Sequence, residues 1–256
     1  MRVLFLGNNW VGWQTLQWLR DSGAGAEIAG LVLHPQAKAR HAAELRAAAA
    51  LPESAIFDGS TLGERAVLRR IAELRADVAV SVLFDYILKP DFLGLFPRGT
   101  INLHPALLPY NRGQYPNVWS IVEGTPAGAT LHYIDEGIDT GAIIAQRQVA
   151  VDPADTGETL YRKLERASLA LFQETWPAVV AGEAPVIPQA HAAGTYHRTR
   201  DVERIDEIDL DRSYTARELI DILRARTFPP YRGAYFRAGG RKILLRLQLE
   251  YDDGGG

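Results

Sequence analysis

The sequence predicts an α/β fold: a doubly wound, mostly parallel sheet with a small C-terminal α+β annex. Three observations carry that prediction. Short apolar runs alternate with stretches of helical periodicity over residues 2–83, the pattern of βαβ units. The first run ends in Gly7-Asn8-Asn9, a turn placed where a strand feeds a helix, as in Rossmann-like sheets. Beyond residue 195 the pattern changes to one capped helix and one hairpin.

Taken in order, Arg2–Leu6 reads as a buried strand and Trp10–Arg20 as a helix with Val11, Leu16 and Leu19 inward. Ile28–Leu33 is a second strand and Ala37–Ala50 an alanine-rich helix. Ala55–Phe57 is a weak third strand. Leu62–Arg75 is a helix and Asp77–Leu83 a fourth strand. Thr100–Leu103 is the next strand, ended by Pro105, which cannot donate to a ladder. Val118–Glu123 reads as a short helix. Thr130–Ile134 and Ile143–Val151 are two strands that pair antiparallel around the loop Asp135–Gly141. Asp155 and Glu158 have capping-box spacing for a helix running to Ala181, bent or broken at Pro177 and stopped at Gly182. Thr215 and Glu218 open another helix, to Arg226. Ala234–Arg237 and Lys242–Leu249 form a hairpin. The expected domains are 1–190, catalytic, and 195–251, the helix-plus-hairpin annex.

Bulk properties narrow the function classes. The 256 residues are 47% hydrophobic and 23% charged, with net charge −3 and no cysteine. Disulfides, thiolate metal sites and cysteine nucleophiles are excluded, and a cytoplasmic enzyme is expected. No basic face or tail is visible, so no nucleic-acid partner is expected. Neither a signal segment nor a membrane span is expected.

Asn102 and His104 stand two apart on one strand, so both side chains face the same way. Such a pair can serve acyl transfer, with the amide donating to a developing oxyanion and the imidazole donating or moving a proton. It can also be a buried strand-end pair. Asp139, 35 residues past His104, can orient an imidazole or simply form a turn with Thr140 and Gly141. His132 reads as structural or supporting. His104, His132 and Asp139 lack zinc-helix spacing, so no metal is expected.

The turn after the first strand lacks G-x-G-x-x-G and contains Trp10, which argues against a dinucleotide. It leaves room for a substrate phosphate or sugar near Asn9. Tyr110, Asn111, Arg112 and Gly113 lie in a polar loop beside the active strand. They suit substrate recognition, or a surface loop stiffened by proline. Arg224, Arg226, Phe228, Tyr231, Tyr235 and Phe236 form an Arg/aromatic cluster that can stack a nucleobase and hold phosphates, or can build the annex core.

The run Ile101-Asn102-Leu103-His104-Pro105-Ala106-Leu107-Leu108-Pro109, then Arg112-Gly113, then His132 through Asp139-Thr140-Gly141, resembles the 10-formyltetrahydrofolate-dependent formyltransferases. The resemblance covers residues 1–190. It implies the formyltransferase fold, 10-formyltetrahydrofolate as co-substrate and no metal. It places the catalytic triad on Asn102, His104 and Asp139. It places the folate slot between Phe84–Leu88 and Ile134–Asp139, with contacts from Phe84, Tyr86, Ile87, Leu88, Ile134, Asp135, Gly137 and Asp139. Ala106 stands where the family usually has Ser, and Ala142 where a polar residue or proline often follows; neither change removes a catalytic group.

Within that superfamily, Asn111-Arg112-Gly113, Pro116-Asn117-Val118-Trp119 and Arg226-Thr227-Phe228-Pro229-Pro230-Tyr231 look most like the nucleotide-sugar N-formyltransferases. The implied acceptor is the primary amine of a nucleotide-linked amino sugar, met by Asn9, Tyr110, Asn111, Arg112, Gly113 and Tyr231. The alternatives are methionyl-tRNA, glycinamide ribonucleotide, an ornithine-type amino acid, or a non-catalytic folate-binding module. Annex aromatics allow a homodimer.

Overall fold

The computed structural model describes residues 1–190 and 193–252. Four parallel strands come first: β1 (Arg2–Gly7), β2 (Glu27–Leu33), β3 (Ile56–Asp58) and β4 (Val78–Val82). They are connected by α1 (Asn9–Asp21), α2 (Ala42–Ala49) and α3 (Arg65–Glu73). A single turn, α4 (Pro90–Leu93), leads to β5 (Thr100–His104), parallel to β4. β6 (Arg112–Gly113) and α5 (Pro116–Val122) follow. β7 (Ala127–Tyr133) and β8 (Ile143–Val149) then add to the sheet antiparallel. The sheet order is β3-β2-β1-β4-β5-β7-β8. After α6 (Gly157–Ala181) come β9 (Tyr196–His197), which pairs with β6, then α7 (Glu203–Asp206) and α8 (Ala216–Ala225). The hairpin of β10 (Tyr235–Ala238) and β11 (Arg241–Leu244) follows.

Alternation along β1 explains the layering. Val3 and Phe5 pack with Leu16, Leu45 and Trp176 on one face. Leu4 and Leu6 pack with Ile71 and Phe92 on the other. A strand buried on both faces must be apolar throughout, which is why these strands read as continuous runs. The annex has a small core around Ile208, Ile222 and Ala234. Val118, Trp119, Leu160, Leu164 and Ala225 join α5, α6 and α8.

Three details bear on the sequence expectation. The helix expected from Ala37 begins at Ala42, because His41 takes a left-handed φ of 56° and the Asn8 side chain holds the loop before it. Asn8 Oδ1 accepts from the Arg40 N–H at 2.7 Å. The helix reaches its expected end at Ala181 and is unbroken at Pro177, where Trp176 and Val179 on either side of the proline are buried in the main core. Its cap is Thr156 paired reciprocally with Thr159, not Asp155 with Glu158. Asp155 is buried and accepts instead from Lys163 Nζ at 2.7 Å. Gly182 ends the helix with φ 79°. No helix among the described residues is long and apolar enough to cross a membrane.

Candidate active site

The order of the sheet sets the address of the site. β1 hands the chain to β2 on one side, and β4 stands on its other side. A crevice therefore opens past the carboxyl ends of β1 and β4, where ligands bind in such sheets. Its rim carries Asn9 and Leu83, both with left-handed φ near 61° and 51°. Asn111, Tyr115 and Asp139 share that conformation. Non-glycine residues held there are strained, and such strain concentrates at functional sites.

A polar row crosses the sheet at this end. The register sets Ser81 of β4 beside Asn102 of β5, and Asn102 beside His132 of β7. The Ser81 hydroxyl donates to Asn102 Oδ1 at 2.9 Å. The Asn102 amide nitrogen then faces His132 Nε2 at 3.2 Å and Asp139 Oδ1 at 3.5 Å. His132 Nδ1 lies 2.7 Å from the Tyr133 carbonyl. Its Nδ1–H donates there, which leaves Nε2 as the acceptor for Asn102.

His104 is buried, with Nε2 at 3.3 Å from the Asn111 carbonyl and 3.7 Å from Asp139 Oδ2. Burial pushes its pKa below the usual 6.5; Asp139 works against that shift and His132 adds to it. Burial alone would raise the Asp139 carboxyl. His104 and the Gly113 N–H hold it well below the ordinary carboxylate range. At neutral pH the pair is therefore a neutral imidazole beside a carboxylate.

Asp139 is fixed from two sides. The Gly113 N–H donates to Oδ2 at 2.9 Å. Gln189 Nε2 donates to the carbonyls of Asp139 and Gly141 at 3.0 and 2.6 Å. Gly113 must be glycine: its φ is 87°, and a Cβ would stand 2.3 Å from the His197 carbonyl in β9. Asp135 accepts from the Gly137 N–H and the Thr140 hydroxyl, a turn that presents the loop to the cavity.

A cavity of about 480 Å³ holds this constellation. Asn102, His104 and Asp139 line it. So do Phe84, Tyr86, Ile87, Leu88, Ile134, Asp135 and Gly137. A second cavity, of about 660 Å³, is lined by Trp10, Tyr161, Phe228 and Tyr231 together with Arg40, Arg162, Arg226 and Arg232. Asn9, Tyr115, Asn117 and Tyr161 belong to both linings, so the cavities adjoin.

Of the residues expected to meet substrate, Asn9 lines both cavities, Gly113 the first and Tyr231 the second. Tyr110, Asn111 and Arg112 line neither. Asn111 is fully buried, and its amide donates to Ser120 and Thr125 hydroxyls at 2.9 and 2.8 Å. It is an internal strut that carries the carbonyl facing His104. The Arg/aromatic cluster divides. Arg226, Phe228 and Tyr231 face the second cavity. Arg224 pairs with Asp221 and donates to the Asp152 and Asp155 carbonyls, and Tyr235 and Phe236 belong to the hairpin. Sequence reasoning missed Ser81 and Gln189. The strand register could have found the first; nothing in the irregular 184–189 link marks the second. No group of three His, Asp or Glu side chains among the described residues is arranged to hold a metal ion.

Residues 1–175 match the family model described as formyl transferase. Residues 201–251 match one described as the N-formyltransferase dimerization C-terminal domain. A dTDP-4-amino-4,6-dideoxyglucose formyltransferase of Mycobacterium bovis is 34% identical over 188 residues, 69% of this chain and 80% of the relative. Among solved structures, a 4-N formyltransferase from Francisella tularensis superposes with a TM-score of 0.85 at 27% identity, covering 98% of each chain. The formyltransferase PseJ from Anoxybacillus kamchatkensis, solved with UDP-4,6-dideoxy-4-formamido-L-AltNAc and tetrahydrofolate, is 32% identical with a TM-score of 0.59. That match covers 80% of this chain and 89% of PseJ.

Proposed function

The chain belongs to the formyltransferase family, and from that premise we propose that it moves a formyl group from 10-formyltetrahydrofolate to the primary amine of a nucleotide-linked amino sugar. The observation that carries the proposal is the pair of adjoining cavities, with Asn102, His104 and Asp139 in the first and an aromatic, arginine-rich wall in the second.

The first cavity suits a folate. Among the described residues, nearly all backbone N–H and carbonyl groups of its wall at residues 84–88 have no protein partner, and a pterin ring supplies matching donors and acceptors. Phe84, Tyr86, Ile87 and Leu88 on one side and Ile134, Asp135, Gly137 and Asp139 on the other would hold it. Bound there, 10-formyltetrahydrofolate supplies an electrophilic formyl carbon on N10.

The side chains divide the work. Asn102, oriented by Ser81 and His132, presents an amide N–H to the charge that develops on the formyl oxygen. His104 is neutral, so it can donate through one ring nitrogen and accept through the other. It carries the proton that must leave the attacking amine and reach N10 as the new C–N bond forms and the old one breaks. Asp139 is too weak a base to hold that proton; it orients His104 and steadies the imidazolium.

The second cavity takes the nucleotide. Tyr161, Phe228 and Tyr231 stand in series, with ring centroids 5.4 and 5.3 Å apart, and offer faces for a base. Arg40 and Arg232 form no ion pair among the described residues and can meet a diphosphate. The sugar then lies at the junction, beside Asn9 and Gly113. The cytoplasm is the compartment we assign to this reaction. The match of residues 201–251 to a dimerization domain, with Leu210, Ile243 and Leu244 exposed on the annex, supports a homodimer.

The test is a panel of nucleotide-linked 3- and 4-amino sugars incubated with the formyl donor and read by mass spectrometry. Gain of one formyl group on a panel member supports the proposal. Formylation of glycinamide ribonucleotide, methionyl-tRNA or ornithine, with none of the sugars, overturns it.

A further inference from the structure

The wall formed by residues 83–88 has almost no support of its own. It is neither helix nor strand, and it starts from Leu83 with φ 51°. Among the described residues, the backbone of residues 84–88 makes one hydrogen bond: the Asp85 N–H donates to His34 Nε2 at 3.1 Å. His34 follows β2, on the far side of β1 from this wall. Its side chain is fully buried. Its ring lies 4.8 Å from Phe84 and 5.4 Å from Tyr86, so it sits beneath the two aromatic residues of the segment. Gly59 closes the cluster; a Cβ there would stand 2.6 Å from the Phe84 ring.

The protonation state agrees with the geometry. Accepting from a backbone N–H requires a lone pair on Nε2. Burial lowers the pKa of His34, opposed by Asp85 and Asp58 and aided by Lys38, so the imidazole is neutral near pH 7. Its proton then sits on Nδ1, which is buried and has no partner. A buried donor left unsatisfied is a cost that packing alone does not require. An apolar ring would fill the same space without that cost, but it could not hold Asp85.

We infer that His34 is a positioning residue for the folate wall: it fixes the Phe84–Leu88 backbone in the conformation that receives the pterin, without touching the pterin or the reacting atoms. The inference rests on the function proposed above. It concerns folate affinity alone, because His34 lines neither cavity.

The experiment compares wild type, His34→Phe and His34→Gln. His34→Phe keeps the ring and deletes the acceptor; His34→Gln restores an acceptor in an amide. Tetrahydrofolate binding is measured by calorimetry, and KM for both substrates and kcat are measured with the acceptor found in the panel. His34→Phe is expected to weaken tetrahydrofolate binding and raise KM for 10-formyltetrahydrofolate about tenfold. KM for the sugar and kcat should stay within about twofold, and His34→Gln should recover most of the loss. If His34→Phe does not fold, His34→Asn, whose shorter amide falls short of Asp85, takes its place against His34→Gln. Unchanged folate binding in the variant, or equal losses for both substrates, overturns the inference. A wild-type protein that binds no tetrahydrofolate overturns the proposed function as well, which separates the two failures.

Discussion

Asn102 and His132 are direct partners across the antiparallel β5–β7 ladder, and the amide of one donates to the ring of the other at 3.2 Å. The backbone register thus sets the direction of the amide that, in the proposed reaction, meets the formyl oxygen. His132 holds its own tautomer through the Tyr133 carbonyl, so the donor is aimed before any substrate arrives. Preorganisation of this kind is where acyl-transfer sites gain most of their rate.

Replacing His132 with Phe keeps a ring in place and deletes the acceptor. One Asn102 N–H then loses its partner, at about 1–3 kcal/mol. We expect kcat to fall about five- to hundredfold with both KM values nearly unchanged. Steady-state kinetics with each substrate varied in turn checks this, and a change confined to KM would mean that His132 acts on binding instead.

The His104 pKa is lowered by burial, so the imidazole should titrate below 6.5 in an NMR pH series, with His104→Asn identifying its resonance. The sign for stability follows. The unfolded chain takes up a proton near 6.5 while the folded chain resists, so stability falls as pH drops below that value. Asp139, held below its ordinary 3.8, adds stability that is present above that value and is lost only at stronger acidity. A His104 resonance that titrates above 6.5 would reverse the assignment of a neutral imidazole.

Gln189 donates twice to the Asp139 loop, from a segment with no regular structure. Gln189→Ala leaves two carbonyls short of a donor and frees a residue whose φ is 53°. Expected are a lower melting temperature and a kcat reduced about tenfold. Scanning fluorimetry and initial rates measure the two, and wild-type values for both would remove Gln189 from the support of the site.

For the second cavity, Arg40→Ala and Arg232→Ala should each raise KM for the nucleotide sugar about tenfold, as loss of a charge-assisted contact does. KM for the folate should hold. The penalty should shrink as salt rises, because exposed charges are screened. A folate KM that rises with the sugar KM would place these arginines elsewhere in the reaction.

Much of the sheet was legible because strands buried on both faces must be apolar, and the helices between them must be amphipathic. The Asn102/His104 pair was legible because side chains two apart on a strand share a face. The role of Asn111 was not. Its amide fits a binding loop and an internal strut equally, and only its packing against Ser120, Thr125 and Thr195 decides. At Pro177 the local cost of a proline was plain, and only the burial of Trp176 beside it shows why the helix is unbroken there. His132 became the partner of Asn102 through register, which one sequence does not fix to the residue.

The most direct measurement is the single-turnover rate of formyl transfer by Asn102→Ala, with both substrates saturating and folding verified by circular dichroism. Removal of a preorganised oxyanion donor predicts a rate lower by about 10²–10³-fold, with tetrahydrofolate affinity retained. A rate close to wild type would contradict the placement of Asn102 at the reacting carbonyl.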